Sequence, residues 1–415
     1  MTPNLPNLGN LAWFTAVPVR RIFGVLADGG EDVRVIGGAV RNALMGRDVG
    51  DIDFATTATP ERVTALATAA GIRTVPTGID HGTVTLVIAG KGYEVTTLRE
   101  DIATDGRHAV VRFGRDWQAD AERRDFTVNA LSVDASGTIH DPVGGYPDIL
   151  AGRIRFIGDA ATRIAEDRLR ILRLFRFHAE YGKGDLDRDA LSAAIRARNG
   201  IRELSAERIG QEIRRLVVAP RAVETVGLMQ DAGILPVVLG GVGYIGALAR
   251  LRAFEARLAI APAAELHLAA LGCRIAEDVE RLTARLRLAN SERDRMAAAL
   301  AASRSFATLP DERGARAALY RLQPGAFRDG IAIAFAWSDA LPDDRGWEDL
   351  YRLPERWPAP VFPLGGRDAL SGGVAHGPAI GRLLRSLEAW WIDQDFAPDE
   401  AALRDRLQQM IAAEQ

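Results

Sequence analysis

The segment Val35-Ile36-Gly37-Gly38-Ala39-Val40-Arg41, followed shortly by Gly50-Asp51-Ile52-Asp53-Phe54-Ala55-Thr56, decides how this chain is read. Val33–Ile36 is a short β-rich run. Ala39 to Met45 has a helical pattern, with Gly46 placed to stop it. Gly37-Gly38 therefore joins a strand to a helix N-terminus. Backbone N–H groups at such a turn can cradle a phosphate, and Arg41 in the first helical turn can add a charge-assisted bond. Asp51–Ala55 reads as a second strand. Its alternation sets Asp51 and Asp53 on one face and Ile52 in the core. Two carboxylates so close repel each other unless a cation lies between them. Mg²⁺, which prefers oxygen ligands and phosphates, is the natural occupant. A bare Asp-x-Asp more often marks a solvated turn. A Gly-Gly turn, an Arg and two Asp in this order form a specific set. Without Gly-Lys-Ser/Thr it is not a P-loop.

Outward from this segment, residues 1–30 read as a lead-in with a short helix from Val19 to Ala27. Thr59-Pro60-Glu61 caps a helix running to about Ala70. Strands at 81–89 and 93–98 flank Gly90-Lys91-Gly92, a hairpin signal. Glu94 lies in the second of these, between Tyr93 and Val95, which face the core. It is a third carboxylate that can complete a metal shell or help deprotonate a hydroxyl; the plainer alternative is a surface carboxylate. Residues 99–121 are polar and weakly periodic, so they read as a long loop. Order resumes at Phe126–Val133, and Pro142 to Gly152 reads as a turn-rich connector. Past about residue 155 strand signals fade. Helical patterns continue, broken at 182–184, 219–220 and 235–236, with a Pro-rich boundary at 341–365.

Residues 166–177 read as one helix. Its apolar residues, Leu169, Ile171, Leu172, Leu174, Phe175 and Phe177, surround nearly the whole circumference, so it should be buried. It also carries Asp167, Arg170, Arg173 and Arg176 at three-residue intervals. One Asp cannot satisfy three Arg, which favours an anionic ligand; the alternative is a helix with internal ion pairs. Asp167 only accepts and Arg170 only donates. Cytosine and adenine both present an amino donor beside a ring-nitrogen acceptor. The pair therefore suits those two bases and mispairs with uracil and guanine.

These motifs resemble the class II CCA-adding enzymes and bacterial poly(A) polymerases, a family within the DNA polymerase β-like nucleotidyltransferases. The resemblance covers about residues 33–216. It rests on the 37–42 turn, Asp51-Ile52-Asp53, Glu94-Val95-Thr96-Thr97, the 123–130 run around Arg124-Asp125, Asp141-Pro142-Val143-Gly144-Gly145, Glu166-Asp167-Arg168-Leu169-Arg170 and Leu204-Ser205-Ala206-Glu207-Arg208. Asn42 departs from the family, which usually has Asp there; Asn keeps the hydrogen-bonding shape and loses the charge. The resemblance implies an α+β fold: a polymerase-β-like nucleotidyltransferase head with a mixed sheet and flanking helices (31–155). After it come an all-α neck with base recognition (156–220), a body (221–340) and a tail (341–415). It implies that Asp51 and Asp53 bind the catalytic Mg²⁺, with Glu94 as third carboxylate. It also implies that Gly37, Gly38 and Arg41 meet the triphosphate and that Arg124-Asp125 reads the ribose. Asp167 and Arg170 would then choose CTP or ATP, with Arg173 and Arg176 as further nucleotide-site arginines. The implied activity is addition of CCA to the 3′ end of tRNA. Poly(A), CC-only or A-only addition are alternatives, and a non-catalytic RNA-binding protein is the remote one.

Composition agrees with a soluble enzyme. The 415 residues are 47% hydrophobic and 26% charged with net charge −3, so any basic face is local. A single cysteine, Cys273, excludes a disulfide framework and suits a reducing cytoplasm. Neither an 18-residue apolar run nor a signal-peptide pattern occurs, so no membrane role is expected. The six His (81, 108, 140, 178, 267, 376) have no metal-ligand spacing. Ser205 should cap a helix reaching Val217. Gly377-Pro378 should open another, in a tail expected to meet the tRNA body, while Trp390-Trp391 reads as core.

Overall fold

The computed structural model describes residues 5–78, 82–105, 108–374 and 377–414. They form two compact units, Met1–Gly241 and Val242–Gln415. His81 and His376 lie outside the described residues, as does the first residue of the expected 81–89 strand.

The first unit is built on a mixed seven-stranded sheet. Its strands are β1 (Val33–Ile36), β2 (Asp53–Thr56), β3 (Arg73–Gly78), β4 (Thr83–Ile88), β5 (Lys91–Thr97), β8 (Ser132–Asp134) and β9 (Ile139–His140), in the order β3-β4-β5-β2-β1-β8-β9. Only β2–β5 is parallel; the other neighbours are antiparallel. Val33, Val35, Phe54 and Val95 point to one face and are buried. The helices Val17–Asp28 and Pro60–Ala69 cover that face. Phe14, Phe23 and Phe54 meet there with ring centroids 5.5 Å apart along the series. The 17–28 helix is thus part of the head's core, beyond the lead-in role its position suggested. Thr59 caps the 60–69 helix as expected, accepting from the Arg62 N–H.

Three stretches differ from expectation. Residues 99–121 are not a long loop. β6 (Arg99–Asp105) pairs antiparallel with β7 (His108–Phe113) as a separate two-stranded sheet, and Trp117–Glu122 is a helix capped by Asp116. Local backbone pairing makes this ribbon from a sequence with no clean apolar alternation, so the period-2 signal is missing. Within 142–152, Gly145–Ala151 is helical. The Asp141 carboxylate accepts from the Gly145 and Tyr146 N–H groups at 2.7 and 2.9 Å. Gly144 and Gly152, both left-handed, bound the helix and gave it the look of a turn. Finally, the expected 166–177 helix is two: Ala160–Glu166 and Leu169–Tyr181. Asp167, extended at φ −152°, ψ 111°, separates them.

The breaks at 182–184 and 219–220 fall where expected, after Tyr181 and Val218. Leu235-Pro236 instead opens a short helix, Leu235–Leu239, as proline in a first turn does. The actual break precedes it at Gly233, φ 67°. Ser205 caps Ala206–Val218.

The second unit is helical in its described residues. The helix Glu312–Trp337 is kinked at Gln323-Pro324. Phe254 stacks on Phe335 at 4.5 Å. Nearer the C-terminus, Leu383, Leu387, Trp391, Leu403, Leu407 and Ile411 share a core against which Tyr320 packs. Trp391 is buried and Trp390 partly so, as expected. Gly377-Pro378 does open a helix, Pro378–Asp393. No helix among the described residues is long and apolar enough to cross a membrane.

Candidate active site

Strand register positions the carboxylates. Ile36, the last residue of β1, pairs with Asp53, the first of β2. Phe54 pairs with Val95, which sets Glu94 beside Asp53 on the face opposite the buried Phe54 and Val95. Asp51 precedes β2 and is exposed, while Ile52 turns into the core at 7% exposure. Burial, then the charges of Glu94 and Asp51, push the Asp53 carboxyl up to about 6. Among the described residues no hydrogen bond or ion pair reaches these carboxylates. They fit an oxygen-loving divalent cation, which would relieve their mutual repulsion. They do not form a closed cage: no group of three or more such side chains among the described residues could hold an ion alone. Substrate oxygens would have to complete the shell.

Gly37 turns the chain from β1 into the helix Gly38–Leu44 with φ 64°, ψ −119°, a conformation that strains any residue with a Cβ. Arg41 follows in the first turn. It is 6% exposed and donates to Asn42 Oδ1, Asn129 Oδ1 and the Tyr181 hydroxyl, the last at 2.8 Å. Asn129 comes from a 3₁₀ turn, Thr127–Asn129, clamped by the 145–151 helix. A Cβ on Gly145 would lie 2.1 Å from the Thr127 carbonyl oxygen, so only glycine permits that approach.

A cavity of about 470 Å³ opens beside this turn. It is lined by Gly37, Gly38, Arg41 and Asp53 from the sheet end, Arg124 and Asp125 from the 123–130 run, and Asp167, Arg170 and Arg173 from the helical segment. A second cavity of about 680 Å³ shares Gly38, Arg41, Asp53 and Arg173, and adds Asp51 and Arg176. Glu94 lines neither. Residues of the cavities that sequence reasoning did not single out include Arg123, Asn129, Phe177, Tyr181, Arg208 and Arg215.

The arginines of the 169–181 helix are internally paired, which corrects the inference that they lack partners. Arg170 bonds Glu166, and its Nη2 donates to the Arg123 carbonyl at 3.4 Å. Arg173 bonds Asp125 at 2.6 Å and lies 3.6 Å from Glu212. Arg176 bonds the buried Glu212, and Glu180 at 3.3 Å. Asp125 and Glu212 come from elements distant in sequence, so no helical spacing could show them. Arg124 pairs with the buried Asp120 at 2.8 Å rather than with Asp125. Burial would raise the Asp125 carboxyl, but Arg173, Asn129 and the Phe126 N–H outweigh it and hold it below the usual range.

Asp167 and Arg170 are not neighbours on one helix face, because Asp167 sits in the break. Both still line the same cavity. Asp167 Oδ1 accepts from the Leu169 N–H at 3.0 Å and Oδ2 from Arg208 at 2.6 Å. A carboxylate with two acceptors so engaged keeps lone pairs for another donor. Arg170 likewise keeps N–H groups beyond those it spends on Glu166 and two carbonyls.

Residues 33–155 match the family described as the poly A polymerase head domain. The chain is 35% identical over 372 residues to the mouse (Mus musculus) CCA tRNA nucleotidyltransferase 1, mitochondrial, covering 87% of this chain and 82% of that one. It is 38% identical over 222 residues to a CCA-adding enzyme of Geobacillus stearothermophilus, about half of each chain. The crystal structure of the Bacillus stearothermophilus CCA-adding enzyme in complex with CTP superposes with TM-score 0.77 at 27% identity, over 95% of this chain and 97% of that one. With the strand–Gly-Gly–helix turn, the paired aspartates and the helix-lined cavity in one unit, the chain belongs to the CCA-adding tRNA nucleotidyltransferases, with a poly(A) polymerase-type head.

Proposed function

We propose that this protein adds CCA to the 3′ end of tRNA from CTP and ATP, releasing diphosphate. The observation that carries this reading is the cavity of about 470 Å³. It brings a metal-type carboxylate (Asp53), a phosphate-type turn (Gly37, Gly38, Arg41) and an acceptor–donor pair suited to cytosine and adenine (Asp167, Arg170) into one space. The family works with a divalent metal ion. Mg²⁺ suits the oxygen-only donors Asp51 and Asp53, and when bound it polarises the attacking and leaving oxygens of a phosphoryl transfer.

In this reading the Gly37-Gly38 backbone and Arg41 bind the triphosphate. Arg124 and Asp125 face the ribose, and Arg173 holds Asp125 in place. Asp167 accepts the exocyclic amino proton while Arg170 donates to the ring nitrogen. Arg176 stands toward the second cavity and supports the arrangement through Glu212 and Glu180. Glu94 is the third carboxylate, acting from the neighbouring strand. The tail is a surface for the tRNA body. A reducing compartment such as the cytoplasm suits a chain with one, buried, cysteine.

The deciding experiment supplies tRNA lacking its last three nucleotides with each nucleoside triphosphate separately and together. Addition of C, C and A, then arrest, is expected. A run of A residues would make the chain a poly(A) polymerase. Arrest after CC, or A added only to a CC end, would make it a specialist.

A further inference from the structure

The helix Glu312–Trp337 of the second unit is kinked at Gln323-Pro324. Gln323 there holds φ 65°, ψ 158°, a backbone region that favours glycine. A cavity of about 650 Å³ opens at this kink. Its walls come from three stretches: Tyr320, Arg321 and Gln323 before the kink, the segment 360–362, and the helix Pro378–Asp393 with Arg385 and Glu388. None of these residues lines the two cavities of the first unit.

The lining combines two chemistries. Pro360, Val361 and Phe362 are apolar, and Val361 is 87% exposed. Arg321 and Arg385 are also exposed, and among the described residues neither guanidinium has a hydrogen bond or an ion pair. The lining carboxylate, Glu388, already accepts from the Tyr320 hydroxyl, and the Gln323 amide donates to the Tyr320 carbonyl at 3.2 Å. Unspent guanidiniums only donate, and they match phosphate oxygens. An apolar wall beside them suits a flat ring. We propose that this cavity is a second nucleotide site, separate from the catalytic one. It takes a free nucleoside triphosphate, with the phosphates on Arg321 and Arg385 and the base against Pro360 and Phe362. The volume suits one mononucleotide, whereas a nucleotide within RNA would have to leave its stack to enter.

The test is calorimetric titration of the full chain with ATP, without RNA, in the wild type and in R321A/R385A. The double variant binds one ATP fewer per chain, or binds it about tenfold more weakly, because two charge-assisted contacts are gone. Val361→Ser weakens the same site about fivefold through its lost apolar contact. KM for CTP and kcat at saturating tRNA stay at the wild-type values in both variants, since the substituted residues lie outside the catalytic cavities. Thermal melting of each variant verifies folding. Equal stoichiometry and affinity for ATP in the wild type and R321A/R385A overturns the proposal. So does a rise in KM for tRNA in the double variant without any loss of ATP binding, which would give the cavity to RNA instead.

Discussion

Arg208 donates to Asp167 Oδ2 at 2.6 Å, tying the first turn of the 206–218 helix to the break between the 160–166 and 169–181 helices. Asp167 has extended backbone, so no helix holds its side chain in place. Arg208 supplies part of that restraint. Arg208→Ala should therefore loosen base choice. We expect use of UTP and GTP to rise about tenfold relative to CTP and ATP, within the roughly 1–3 kcal/mol that a good base-edge pair discriminates. Asp167→Ala and Arg170→Ala should do at least as much. The measurement is kcat/KM for all four triphosphates, on tRNA lacking CCA for comparison with CTP and on tRNA ending in CC for comparison with ATP. An equal loss for all four would mean that Arg208 supports the site without affecting how the base is read.

Asp51→Ala and Asp53→Ala should each lower turnover by about a thousandfold or more, the scale of several kcal/mol of charge stabilisation at a metal centre. Neither carboxylate is bonded to the fold, so circular dichroism and tRNA affinity should be unchanged. Near-normal turnover at saturating Mg²⁺ in either variant would remove that residue from the metal site.

His178 gives the first unit an acid-sensitive point. Its ring is 1% exposed, and burial, then the charge of Arg221, push the imidazole down to about 4 from its ordinary 6.5. Between these values the unfolded chain binds the proton and the folded chain does not. Stability is therefore lost as pH falls from about 6.5 toward 4, by roughly 2 kcal/mol at pH 4.5 relative to pH 7. His178→Gln should flatten that limb of the curve. Denaturant unfolding at several pH values measures it, and a parallel decline in both proteins would assign the acid loss to other groups.

Trp391 is 4% exposed, and its indole N–H donates to the Pro398 carbonyl at 2.9 Å. Trp391→Ala should cost about 3–5 kcal/mol, as large-to-small core changes do. The expected signature is an unfolding transition that falls markedly in temperature while CTP binding is retained below it. A variant that melts like wild type but binds tRNA more weakly would place Trp391 on the RNA instead.

Local chemistry made much of the head legible. Gly37, Arg41, Asp51 and Asp53 are close in sequence: the strand-to-helix turn places the first two, and strand alternation sets the face of Asp53. Glu94 needed only its own strand's alternation to be placed on the open face, although the β2–β5 pairing that brings it to Asp53 spans some forty residues. Asn129, Tyr181, Arg208 and Glu212 were not read as site residues, because their partners lie 36 to 140 residues away. For the same reason Arg173 looked unpaired, and so did Arg176 toward Glu212; Glu166 and Glu180, four residues from Arg170 and Arg176, were legible as helical neighbours and were passed over. Asp167 was placed on a helix because a two-residue break leaves the apolar pattern around it undisturbed.

Arg41, Asn129, Asp125, Arg173, Glu212, Arg176 and Glu180 form one unbroken series of polar contacts within the first unit. Each member is held by the next, so the effects of changing two adjacent members should not add. Drift at these positions should proceed in matched steps, with positions 125, 173 and 212 changing as a set, and a lone replacement should be rescued most readily by its immediate neighbour in the series.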